Sequence, residues 1–208
     1  NLLAIFMERE LIQRFALLFR GLDMAYGTFV VTGKKPSGKS EGKATFVKEK
    51  RNTNTFASHL NGERSVGIVP INEDSQCWWG CIDIDIYPLD HSKLVQKIHK
   101  LKLPLVLCRS KSGGGHVFLF LKEPIPAEDL QNKLKEIASE LGCAKGTEIF
   151  PKQIVLVLER GDKGNFLNLP YFNHENGLRY AFKPNGAMAT LQEFVEMAEA
   201  SAVMPDAL

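Results

Sequence analysis

The 208 residues, 44% hydrophobic and 24% charged, are ordinary globular material with enough length for one sizeable core. The 26 Lys and Arg residues against 24 Asp and Glu leave a formal net charge of only +2, which excludes wholesale electrostatic attraction to nucleic acid and requires any such binding to come from a local patch. The expected organisation is a single domain, with an N-terminal α/β module over 1–75, a core over 76–175 and a C-terminal extension over 176–208.

The opening "NLLAIFMERELIQRFALLF" is broken by charges too often for a membrane span and lacks a signal-peptide cleavage site, so it predicts an amphipathic helix in a cytoplasmic protein with no membrane partner. The chain opens without Met and is read as a piece of a larger polypeptide. "YGTFVVTG" predicts a strand. Next, "GKKPSGKS" matches the spacing of a phosphate-binding P-loop, which needs a helix after its Lys-Ser so that the helix N-terminus can hold phosphate. "EGKATFVKEKRNTN" has no helical stripe, so the segment is read as a basic surface loop or hairpin. Its Lys34, Lys35, Lys39, Lys43, Lys48, Lys50 and Arg51 form the local positive patch and the expected nucleic-acid contact.

"WWGCIDIDIY" alternates strictly, predicting a half-buried strand with Ile82, Ile84 and Ile86 on one face and Asp83 and Asp85 on the other. A helix follows, with Leu94, Ile98 and Leu101 at helical spacing. "LPLVLCR", the turn "SKSGGG" and "HVFLFLK" read as a hairpin. "PAEDLQNKLKEIASELG" is a helix with Pro126 at its start and Gly142 at its end, and "KGTEIF" a short strand. The order β-α-β-β-α-β predicts an α+β fold of the RNA-recognition-motif type, two helices on one face of an antiparallel sheet and the other face open. "TLQEFVEMAEAS" predicts a terminal helix. Cys77, Cys81, Cys108 and Cys143 lack a second ligand pair and are read as reduced thiols rather than zinc ligands or disulfides.

Two carboxylates at i and i+2 on a strand lie roughly 6.5 Å apart at Cα and point the same way, so Asp83 and Asp85 can converge on cations, with oxygen ligands favouring Mg²⁺ or Mn²⁺. The expected topology brings Glu148 and His116 onto the flanking strands, and three acids there suit two metals roughly 4 Å apart. In "CRSKSGGGH", Gly114 and Gly115 permit close backbone approach to phosphate, while Arg109, Lys111, Ser112 and His116 offer charge and hydrogen bonds. His116 is expected to share the open face with Phe118 and Phe120. Lys152 follows the acidic strand and is a candidate triphosphate contact; Tyr87 is placed to touch the sugar or to cap the site. Lys163, Asn165 and Asn168 are candidates for base, sugar or template contact, whereas Tyr171 and Phe172 are read as packing residues.

"DID" on a strand, a Gly-rich turn ending in His and the acidic "EIF" strand resemble three ordered motifs of the archaeo-eukaryotic primase superfamily, the primase-polymerases, over roughly residues 55–175. "CRSKSGGGHVFLFL", "EIFPKQ" and "GNFLNLPYFN" resemble in particular the domains of bacterial conflict systems and CRISPR-associated primase-polymerases. The resemblance implies that Asp83, Asp85 and Glu148 bind catalytic metals, that His116 contacts an incoming NTP or dNTP, and that single-stranded DNA template and primer lie between the core and the N-terminal module. Gly114-Gly115-His116 stands where relatives often carry Ser-x-His, and Glu148 where Asp is common. The resulting reading is a two-metal nucleotidyltransferase that extends a primer. The alternatives are a non-catalytic single-strand-binding module, which Phe118 and Phe120 favour, and a metal-dependent nuclease.

Overall fold

A computed structural model describes residues 2–208. Helix α1 (Leu2–Leu18) leads into strands β1 (Tyr26–Lys34) and β2 (Ser40–Val47), helix α2 (Thr53–Leu60) and strand β3 (Val66–Ile68). The second group is β4 (Gln76–Ile84), α3 (His91–Lys100), β5 (Leu105–Arg109), β6 (Gly115–Pro126), α4 (Ala127–Glu140) and β7 (Glu148–Phe150). Strand β8 (Leu167–Asn168) and helix α5 (Leu191–Ser201) complete the chain's main elements. The strands form two antiparallel sheets, ordered β2-β1-β3-β8 and β5-β6-β4-β7. The second is the expected β-α-β-β-α-β unit, with β4 central between β6 and β7. The first takes β8 from beyond that unit, so the chain returns after β7 to close the N-terminal sheet.

Local chemistry accounts for the elements. Asn52 and Thr55 form a reciprocal capping box at the start of α2, Thr190 and Glu193 do the same for α5, and the Asp90 carboxylate accepts from Lys93 N at 3.0 Å to start α3. Lys97 Nζ donates to Leu141 O at 2.8 Å, tying α3 to the end of α4. Gly113 takes a φ of +97° in the turn joining β5 to β6, a conformation costly for residues with a Cβ.

The alternation in β4 sorts its side chains as expected up to a point. Ile82 and Ile84 pack with Val117, Leu119, Leu130 and Leu134 under α3 and α4. Ile86 does not join them: β4 ends at Ile84, whose partner Gly115 is the first residue of β6, and beyond that pair Ile86 is exposed. Leu101 likewise serves as the C-cap of α3 on its rim. The larger correction concerns the face expected to be open. Trp79, Cys81, Phe118 and Phe120 are fully buried there against Phe15 of α1, Phe19 just after it and Phe194 of α5. Phe19 alone meets Trp79, Phe118 and Phe120 at ring-centroid distances of 5.3, 5.5 and 5.6 Å. The sheet is therefore covered on both sides, and its second face is uncovered only near the end that carries Asp83, His116 and Glu148.

Candidate active site

Strand register assembles the site. Asp83 is the direct cross-strand partner of His116 on β6 and of Glu148 on β7, so all three project from one edge of the same face. His116 Nε2 lies 3.3 Å from Asp83 Oδ1, and both side chains are largely buried, yet that oxygen has no partner in hydrogen-bond geometry. Asp85 lies just past the strand end. Its carboxylate accepts from the Tyr87 hydroxyl at 2.7 Å and is ion-paired with Lys39, which reaches in from the β1–β2 turn. Glu148 is paired with Lys152 Nζ at 2.9 Å.

The electrostatics follow from these pairings. Burial alone pushes the Asp85 carboxyl up, but the hydrogen bonds from Lys39 and Tyr87 outweigh it and hold the carboxyl below its usual value. Its bond to Asp85 raises the Lys39 ammonium above its usual value, with the fields of Asp85, Asp83 and Glu148 adding to the effect. Lys111, lying 4.5 Å from the Phe29 ring centroid, is lowered by desolvation and by its proximity to Arg179 and Lys39. Burial and the Asp85 contact push the Tyr87 phenol well up, so it stays a hydrogen-bond donor.

A cavity of about 90 Å³ sits at this edge, lined among others by Lys39, Asp83, Asp85, Ser110, Lys111 and His116. Four buried side-chain atoms among the described residues lack a hydrogen-bond partner: Arg20 Nε, Asp83 Oδ1, Ser110 Oγ and Asn168 Oδ1. The last three belong to residues that line this one cavity. Buried polar atoms are costly to leave unpaired, and their convergence marks a place where a polar ligand would restore the missing bonds. A second cavity, of about 490 Å³, shares Asp83 and Asp85 and adds Glu148 with Lys93, Lys97 and Lys145. The two aspartates thus stand between a small basic pocket and a roomier one.

The donor chemistry fits a hard divalent cation: the carboxylates supply oxygen ligands, Asp83 Oδ1 accepts no hydrogen bond, and the Lys39 ammonium already sits in the fields of all three acids. Among the described residues, however, no three His, Cys, Asp or Glu side chains stand together at ligand spacing. The ion pairs give the reason. Asp85 is turned to Lys39 and Glu148 to Lys152, so these two acids face separate lysines rather than a common point with Asp83.

The other expected residues divide. Lys111, His116, Tyr87 and Asn168 line the small cavity. Ser112 lines it too, but its hydroxyl accepts from Ser40 N at 2.8 Å, whereas the hydroxyl of Ser110 is buried and unpaired. Arg109 turns away: its guanidinium lies beside Gly113 and donates to Leu178 O at 3.4 Å. Gly114 and Gly115 are closely packed, since a Cβ on Gly114 would meet the Ile84 carbonyl and one on Gly115 would meet Leu89 and Leu107. Gln153 and Asn165 bond to each other, and Lys163 lies over the Phe46 ring. "GKKPSGKS" is the expected hairpin turn, with Lys35 N donating to Lys39 O at 2.8 Å. Of its basic group, Lys34, Lys35, Lys43, Lys48 and Lys50 are exposed. Arg51 differs from them: its side chain, about 10% exposed, is paired with Asp23 (2.7 Å) and donates to the Leu22 carbonyl (3.1 Å). Sequence reasoning assigned Lys39 to the surface patch and passed over Ser110. The only local signal for either was the Lys-Ser at the hairpin turn and a second Ser flanking Lys111.

The site is thus a recognition-motif sheet whose carboxylate edge carries a histidine and is met by two half-buried lysines, Lys39 and Lys111. The chain belongs to the archaeo-eukaryotic primase domain family of TOTE conflict systems, whose family model matches residues 26–192. That range takes in the β1–β2 hairpin, and it begins after α1. No curated protein matches the chain. No helix among the described residues is long and apolar enough to cross a membrane.

Proposed function

We propose that this domain is a template-directed nucleotidyltransferase, a primase-polymerase, in which the 3′-hydroxyl of a primer attacks the α-phosphate of an incoming NTP or dNTP and pyrophosphate leaves. The observation that carries this reading is the convergence of three buried atoms without hydrogen bonds, on Asp83, Ser110 and Asn168, on one cavity that Lys39, Lys111 and His116 also line. Asp83, Asp85 and Glu148 are the residues that would hold two Mg²⁺ or Mn²⁺ ions. When bound, such ions lower the cost of deprotonating the 3′-hydroxyl and offset charge on the phosphates.

The chain's own residues do the remainder. Lys111 and His116 grip the triphosphate, with the Ser110 hydroxyl and Asn168 amide completing its polar surroundings. In-line displacement needs the nucleophile opposite the leaving group, and this reading assigns the primer terminus to the 490 Å³ cavity that shares the two aspartates. Exposed Lys34, Lys35, Lys43, Lys48 and Lys50 contact single-stranded DNA template through its phosphates. Burial of Phe118 and Phe120 argues against the stacking module, since neither ring is available to a base.

The test is extension of a labelled primer on a single-stranded template, with NTPs or dNTPs and Mg²⁺ or Mn²⁺, comparing wild type with the Asp83→Ala/Asp85→Ala double variant. Template-matched extension that disappears in the variant is the expected result. Folded wild-type protein that extends nothing with any nucleotide or metal overturns the proposal.

A further inference from the structure

Lys39 is 46 residues from Asp85 in sequence, yet its ammonium is the cation paired with that carboxylate and lies in the fields of Asp83 and Glu148 as well. The hairpin turn that carries it is anchored by side chains of the site. Ser40 N donates to Ser112 Oγ at 2.8 Å, and Gly38, at φ +90°, packs over Tyr87. The backbone of Lys39 is thereby held beside the "SKSGGG" turn, while its side chain, 44% exposed, lines the cavity and reaches Asp85. At about 90 Å³ the cavity admits a phosphate group and not a nucleotide, for which sites run roughly 300 Å³ and upward. Lys39 is one of the residues that line it.

We propose that Lys39 is an internal counter-ion of the acid cluster that exchanges partners, leaving Asp85 for the phosphates of the incoming nucleotide when divalent cations take the carboxylates. This deepens the nucleotidyltransferase reading and rests on it. Three carboxylates at one sheet edge repel each other, and the Lys39 ammonium on its flexible four-carbon stem offsets part of that charge. A divalent cation among the same carboxylates repels that ammonium. A triphosphate beside Ser110 and Lys111 attracts it within the side chain's own reach, with no movement of the anchored hairpin backbone. Lys39 is then a positioning residue in the free protein and a substrate contact in the loaded one.

The exchange predicts opposite effects of one substitution. Lys39→Met removes a competitor for the metal, so Mn²⁺ alone, followed by its free-ion electron paramagnetic resonance signal, binds about 3- to 10-fold more tightly than to wild type. The same variant binds a non-hydrolysable nucleoside triphosphate with Mg²⁺ about 10-fold more weakly, because a charge-assisted contact is lost. Lys39→Arg keeps the charge and returns both affinities toward wild type. A purely structural role moves both affinities the same way, and a role limited to template contact moves neither while weakening single-stranded DNA binding; either result overturns the inference. Wild-type protein that binds Mn²⁺ and triphosphate normally while Lys39→Met behaves identically sinks this inference alone. Wild-type protein that binds neither sinks the nucleotidyltransferase reading beneath it.

Discussion

Acidification from about pH 7 to about pH 5 should cost this domain about 2 kcal/mol through His59 alone. His59 is fully buried in α2, and both ring nitrogens are committed: Nδ1 accepts from Val66 N at 2.9 Å, so Nε2 carries the proton and donates to Pro170 O at 2.8 Å. Protonation would turn Nδ1 into a donor facing another donor. Burial, with a smaller push from Arg179, lowers the imidazole to about 3 from an ordinary value of 6.5. The unfolded chain therefore takes up a proton as pH falls through about 6.5 while the folded chain does not. The stability is fully present above that value and drains away between it and about 3, at about 1.4 kcal/mol per pH unit. The assay is urea denaturation of wild type and His59→Gln at both pH values. The variant loses one or both bonds and is less stable at neutral pH, but it cannot titrate, so its deficit should shrink by about 2 kcal/mol on acidification while every other group cancels. A deficit that stays constant between the two pH values would refute the buried neutral imidazole.

Phe19→Ala should destabilise by about 3–5 kcal/mol in the same denaturation assay, because its ring is the shared contact of Trp79, Phe118, Phe120 and Phe194 beneath α1. Single-stranded DNA binding should weaken as salt rises, and replacing Lys34 and Lys35 together with alanine should make that slope shallower by roughly 1 to 2 in a fluorescence titration; an unchanged slope removes the hairpin from the interface.

Periodicity carried the core of the fold. The strict alternation through Ile82, Asp83 and Ile84, two amphipathic helices and a hairpin turn spelled out β-α-β-β-α-β, and that topology alone sets Asp83 between His116 and Glu148. Local side-chain pattern encodes which face an element buries, so these features were legible residue by residue. Three things were not. The alternation runs on to Ile86, but a strand lasts only as long as its neighbours, and β6 starts opposite Ile84. Nothing near Phe118 or Phe120 says that α1 and α5, about 100 residues before and 70 after them, will cover that face. And the pairing of Lys39 with Asp85, like the unpaired hydroxyl of Ser110, arises where one sheet's hairpin meets the other sheet's edge. Such contacts depend on how whole elements pack, and only the tertiary structure decides them.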